Sequence, residues 1–198
     1  MLPRGLVYQF AGRYVAGENI ETALNVTRGL NDQGYSVTLD ILGEHTKSRE
    51  KVVEITNEYA NIYNLINKQK LDCNISLKPT HIGLDISQKY CLENLMIVLK
   101  SAKDSGNFLR IDMEDSSITD TTLQLYQDCH SQYSNVGTVF QSYLYRTVTD
   151  IKNLSINPSN FRICKGIYRE SPDIAIQSRK TINRNYLKIL RLGFMKNA

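Results

Sequence analysis

Strand-like and helix-like segments alternate along nearly the whole chain, and this rhythm restricts the fold more than any composition figure. The first helical spacing is NIETALNVTRGLN at 19–31, with Ile20, Ala23, Leu24 and Leu30 apolar and Gly34 ending the segment. YSVTLD at 35–40 reads as the first strand. The long helix in TKSREKVVEITNEYANIYNLI places Val52, Ile55, Tyr59, Ile62 and Leu65 or Ile66 on one side, with Thr46 or Ser48 as its cap. CNISLKP is the second strand, stopped by Pro79; a helix over 91–106 ends at Gly106; FLRIDME is the third strand. A helix over 118–133 capped by Thr119 precedes the fourth strand, VGTVFQSYLY. A short helix around 149–154 leads through Pro158 to FRICKG, the fifth strand. The last helix spans 171–193, with Pro172 near its start and Ile174, Ile182, Tyr186, Ile189 and Leu190 as its apolar positions.

One leading helix and five strand–helix units imply parallel strands covered by helices, in either a doubly wound sheet or a barrel. The 198 residues suit one domain: a lead-in over 1–34 and βα units over 35–198. No GxGxxG follows the first strand and no P-loop is present, which removes the phosphate-cradling variants.

Composition excludes other classes. The formal charge of +4 comes without a lysine–arginine block or an aromatic–basic ladder, so no nucleic-acid partner is expected. No apolar run reaches the roughly 18 residues of a membrane span, and MLPRGLVYQF turns polar too soon for a secretory signal. Cys73, Cys91, Cys129 and Cys164 are widely spread, and His45, His81 and His130 lack metal-ligand spacing. No metal site is expected, the cysteines read as reduced thiols of a cytoplasm-like compartment, and the histidines read as polar loop or surface residues.

The strands carry a second regularity. Lys78, Asp112, Gln141 and Arg162 occur one per successive strand in otherwise apolar or small-residue contexts, and Asp40 and Glu44 lie at the end of the first. In a barrel the carboxyl ends of the strands converge on one site. Arg162 and Lys78 are cations in strands that read as buried, and a buried charge needs a partner; Asp112 is the natural one. Gln141 both donates and accepts. The set suits an anionic substrate or an electron-rich cofactor. Lys165, three positions from Arg162, has opposite strand parity and reads as structural.

Five blocks in order resemble the proline dehydrogenase family, the flavin enzymes of proline catabolism. They are TLDILGE at 38–44, NISLKPTHIGL at 74–84, LRIDMEDS at 109–116, VFQSYLYRT at 139–147 and FRICKGIYRE at 161–170; AGRYVAGE at 11–18 fits the lead-in. The resemblance implies a (β/α)8 TIM-barrel type fold and oxidation of L-proline to Δ1-pyrroline-5-carboxylate, with FAD accepting hydride and a quinone taking the electrons onward. It places Lys78 against the proline carboxylate, Asp112 beside the substrate holding the basic groups, and Arg162 at the hydride-accepting edge of the flavin. Gln141 would bond the polar edge of the ring, Ile163 and Cys164 would lie beside it, and Tyr168 would wall the proline site. Glu44 and Glu114 would pair with cations. The compartment implied is the cytoplasm with peripheral contact at the inner membrane in a bacterium, or the mitochondrion in a eukaryote.

Two departures from the family pattern carry expectations. The alanine of its KGAY turn is Ile167 here, a bulkier residue expected to narrow the pocket. A complete barrel takes about 250 residues, so this sequence is expected to hold five of eight units. The three missing units would include the helix with neighbouring arginines that grip the substrate carboxylate. The sequence has no RR pair, and Arg179, Arg184 and Arg191 belong to the fifth helix after a strand. The competing functional readings are an inactive barrel homologue or interaction module and an aldolase-like lyase that uses Lys78.

Overall fold

A computed structural model describes residues 15–195. The leading helix is α1 (Ile20–Asn31), followed by β1 (Val37–Leu39), α2 (Arg49–Gln69), β2 (Cys73–Leu77), α3 (Gln88–Asp104) and β3 (Leu109–Ile111). The order continues with α4 (Thr119–Gln132), β4 (Val136–Gln141), α5 (Thr147–Asn153), β5 (Phe161–Cys164) and α6 (Arg179–Met195). All neighbouring strands are parallel and the sheet order is β1-β2-β3-β4-β5. A doubly wound sheet reverses its strand order partway. Here each strand lies beside its predecessor, the winding of a barrel wall, in which crossovers of one hand put the helices on a common face.

The helices begin where the sequence supplies side-chain acceptors. Asn19 accepts from Thr22 N at 2.9 Å, Ser48 from Lys51 N at 3.3 Å, and Ser87 from Tyr90 N at 3.2 Å. Thr119 is the first residue of α4 and not its cap: the preceding turn, Ser116–Ile118, is capped by Asp115, which accepts from Ser117 N at 2.9 Å. The helix expected over 171–193 starts only at Arg179. The segment before it is drawn into the loop after β4, where Tyr145 N donates to Ile174 O at 3.2 Å and Ile176 N to Tyr143 O at 2.8 Å. Backbone groups spent there are lost to an α-helix. Of the lead-in, residues 11–14 of AGRYVAGE lie outside the described residues.

Strand alternation gives the sheet two unlike faces. Ile75, Leu77, Leu109, Ile111, Val136 and Phe140 are buried in the main core with Tyr59, Ile62, Leu95, Val98 and Leu125 from the helices. The alternate positions Thr38, Asn74, Ser76, Arg110, Gly137, Val139 and Arg162 share the opposite, inner face through the strand register. Apolar burial fixes which way each strand turns, because a one-residue slip would send Ile75 and Leu77 to the polar face. Gly137 permits a close approach there. A Cβ at this position would stand 2.7 Å from Arg110 Nη1 and from Asn160 O.

Candidate functional site

The register assembles the site at the carboxyl ends of the strands. Ser76 is level with Arg110, Val139 with Arg162, and Gln141 with Cys164. Counting on by two along each strand places Asp40, Lys78 and Asp112 on the same inner face. The charges are divided into two pairs. Lys78 Nζ donates to Asp40 Oδ2 at 2.7 Å, and Arg162 Nη2 donates to Asp112 Oδ1 at 2.8 Å. Ser76 Oγ adds a bond to Asp112 Oδ2 at 3.3 Å. Asp112 therefore serves Arg162, while Lys78 takes its own counter-charge from the first strand's end. Arg162 is less buried than its apolar sequence context suggests: its side chain is 47% exposed against 13% for Asp112.

Burial raises the Asp112 carboxyl above the ordinary aspartate value, against the opposing pull of Arg162 and Lys78. For Lys78, burial acts to lower the ammonium, but the hydrogen bond and charge of Asp40, with Asp112 and Glu114, outweigh it and the value is raised. Lys78 is accordingly a persistent cation.

Gln141 is buried, and its Nε2 donates to the Glu114 carbonyl at 2.7 Å; its own carbonyl accepts from Thr147 Oγ1 at 2.6 Å. Cys164 lies beside it on the inner face, with its thiol pushed up by burial. Ile163 alternates to the other face, level with Phe140 and packed against the core. Tyr168 bridges the mouth, donating to Glu44 Oε2 at 3.1 Å, so among the described residues Glu44 meets a phenol and no cation within salt-bridge distance. Glu114 likewise meets no cation within salt-bridge distance among the described residues and accepts instead from Thr80 N at 3.0 Å. Ile167 is 83% exposed and does not narrow the inner face. Gly166 precedes it at φ +105°, against the Tyr143 ring.

Three contributors escaped the sequence reading. Arg110 is a third inner-face cation, at the amino end, donating from Nη1 to Thr138 O at 3.0 Å and to Asn160 Oδ1 at 3.1 Å; burial, then Arg162, lowers it to about 10. It was visible as the polar residue two before Asp112. His81 is buried, not a surface residue. Its Nδ1 lies 3.4 Å from Tyr59 Oη, which is also 3.4 Å from Asp40 Oδ1. Glu170 accepts from Ser116 N and Oγ, both at 2.7 Å, joining the loops after β3 and β5. Nothing in local sequence spacing announces contacts between residues so far apart.

Three cations, an amide and a thiol on one face make a donor-rich surface suited to an anionic ligand. No group of three His, Cys, Asp or Glu side chains among the described residues is placed to hold a metal ion.

The proline dehydrogenase family model matches residues 23–178. Proline dehydrogenase 2 of Bacillus subtilis strain 168 is 39% identical over 182 residues, covering 91% of this chain and 60% of that protein. Proline dehydrogenase 1 of Bacillus subtilis subsp. natto is 36% identical over 185 residues, covering 93% and 61%. The Deinococcus radiodurans proline dehydrogenase is 30% identical over 194 residues, covering 96% and 63%. The chain thus spans about three fifths of the length of these relatives.

Among solved structures, proline utilization A from Bdellovibrio bacteriovorus inactivated by N-propargylglycine superposes with a TM-score of 0.86 at 22% identity. The match covers 98% of this chain and 25% of that one. Proline utilization A from Corynebacterium freiburgense gives 0.77 at 15% identity, covering 94% and 22%. These likenesses establish the fold as part of a TIM-type barrel wall. With the family model matching well over half its length, the chain belongs to the proline dehydrogenase family.

Proposed function

We propose that this protein oxidises L-proline to Δ1-pyrroline-5-carboxylate, with FAD as hydride acceptor and a quinone as the final acceptor of the electrons. The observation that carries the reading is the pairing of Lys78 with Asp40 and Arg162 with Asp112 on one inner face, beside Gln141 and Cys164. FAD, when bound, supplies the electrophilic centre that takes the hydride. The remaining chemistry is positioning and charge stabilisation by the protein.

Lys78 is a fixed ammonium at the strand end and binds the proline carboxylate. Arg162 gives one N–H to Asp112 and keeps further donors, which would stabilise negative charge on FAD when it is bound. Gln141, its amide nitrogen donating to Glu114 O, would offer its side-chain oxygen to FAD, and Cys164 and the backbone at Ile163 would lie beside it. Asp112 fixes Arg162, and Tyr168, anchored on Glu44, walls the substrate side. The site works in the cytoplasm and meets the quinone by peripheral contact with a membrane. No helix among the described residues is long and apolar enough to cross one.

The lyase reading loses support from the geometry. A Schiff-base lysine must present a neutral amine, whereas Asp40 holds Lys78 in its charged form. The test is optical: protein produced with any coding sequence that continues this chain shows flavin absorption bands that bleach on addition of L-proline. Absence of the bands, or bands indifferent to proline, overturns the proposal, and a borohydride-trapped adduct on Lys78 would restore the lyase.

A further inference from the structure

The loops that carry the site are tied together by one buried carboxylate. Glu114 is fully buried, accepting from Thr80 N at Oε2 and from the Thr80 hydroxyl at Oε1. The same hydroxyl accepts from His45 N at 3.0 Å, and Thr80 O accepts from Thr46 N at 3.1 Å. The Glu114 carbonyl takes the Gln141 amide at 2.7 Å. A single hydrogen-bonded unit therefore joins the loops after β1, β2 and β3 to the end of β4.

The proton arrangement in this unit follows from the charge of Glu114. A threonine hydroxyl has one proton to give. It receives the His45 N–H, and with Glu114 ionised its proton goes to Oε1. Both Glu114 oxygens then accept. Thr80 in turn lies in the turn Pro79–Ile82, which Lys78 opens and in which His81 N donates back to Lys78 O at 3.0 Å. Holding Thr80 holds the backbone from which the Lys78 ammonium projects.

We propose that Glu114 is the positioning residue of this site, setting Lys78 through Thr80 and Gln141 through its own carbonyl. Its effect on catalysis rests on the proline-oxidising reading; its effect on the loops does not. Glu114→Leu tests it with little change of volume, since it removes both acceptors that meet Thr80. Thr80→Val removes the hydroxyl, and Thr80→Ser keeps it.

Amide hydrogen exchange in the full chain reads the tie directly. Glu114→Leu and Thr80→Val lose about tenfold or more of the protection at Thr80, His45 and Thr46, and Thr80→Ser retains it. In the flavin-loaded protein the first two variants raise KM for proline by about tenfold, the scale of one lost buried hydrogen bond, and Thr80→Ser stays near the parent. A purely structural role would lower the melting temperature of both and leave KM of the folded fraction unchanged. Unchanged exchange in Glu114→Leu, or Thr80→Ser behaving like Thr80→Val, overturns the proposal, and the Thr80 pair decides it should Glu114→Leu not fold. Parent protein that fails to oxidise proline defeats the functional reading, while the exchange results still decide the role of Glu114.

Discussion

Arg162 and Asp112 meet across the width of an intervening strand, with 2.8 Å between Nη2 and Oδ1, although they lie fifty residues apart in sequence. The bond turns a flexible guanidinium into an oriented one. Arg162→Ala is expected to lower kcat by about a hundredfold, the scale for loss of one pre-aimed donor. Its side chain is half exposed, so stability falls by less than about 1 kcal/mol. Steady-state kinetics beside chemical denaturation separate the two effects. A large stability loss with intact kcat would show that the pair is structural.

Lys78 gains its high pKa from Asp40, so Asp40→Asn removes both the hydrogen-bonded anion and its charge. Burial then acts unopposed by that partner and the ammonium pKa falls. Lysine-directed acylation, followed by peptide mapping, should modify Lys78 faster in this variant than in the parent at mildly alkaline pH. Equal rates would mean that Asp40 does not control the charge.

His81 makes the fold sensitive to acid. Burial lowers its pKa below the ordinary 6.5; Asp40 and Glu44 oppose that shift, and Lys78 and Lys51 reinforce it. The unfolded chain therefore binds a proton at a pH where the folded chain does not. His81 contributes stability above the ordinary histidine value and loses it as pH falls through 6.5 toward the lower folded value. His45, raised by its bond to Asp85, acts in the opposite direction, but its side chain is half exposed and its contribution is small. Denaturation midpoints measured across this range should fall with pH in the parent and stay flatter in His81→Gln.

Gly166→Ala should destabilise by about 1–3 kcal/mol, the cost of a strained backbone position. At φ +105° its Cβ would also stand 2.2 Å from the Tyr143 ring. The turn would shift together with Tyr168, so KM for proline should rise as the melting temperature drops. A variant with parent-like values for both would refute this account.

The barrel-type alternation was legible because Leu109 and Ile111, or Ile75 and Leu77, repeat an apolar period that only one face of a strand can satisfy. Lys78, Asp112, Gln141 and Arg162 stood out as polar interruptions of that period, and the structure brings them onto one face. Their pairing was not legible. Whether Asp112 serves Lys78 or Arg162 depends on strand neighbours and side-chain reach, not on spacing. The late start of α6 was hidden because Ser171–Gln177 has a good helical beginning in Pro172 but spends its backbone on Tyr143 and Tyr145. His81 was misread because its burial depends on the distant Tyr59 and on the close approach of Gly43, where a Cβ would lie 2.3 Å from its Nε2.

The unbroken strand order has a consequence for synthesis. Each strand after β1 finds a partner already made in the strand just before it, with only a helix-length crossover between them. Nascent chain leaving the ribosome can therefore add one βα unit at a time onto a wall already laid down. Pairing between near neighbours in sequence keeps the entropy of each closure low. Arg162, on the last of the described strands, meets an Asp112 laid down two strands before it.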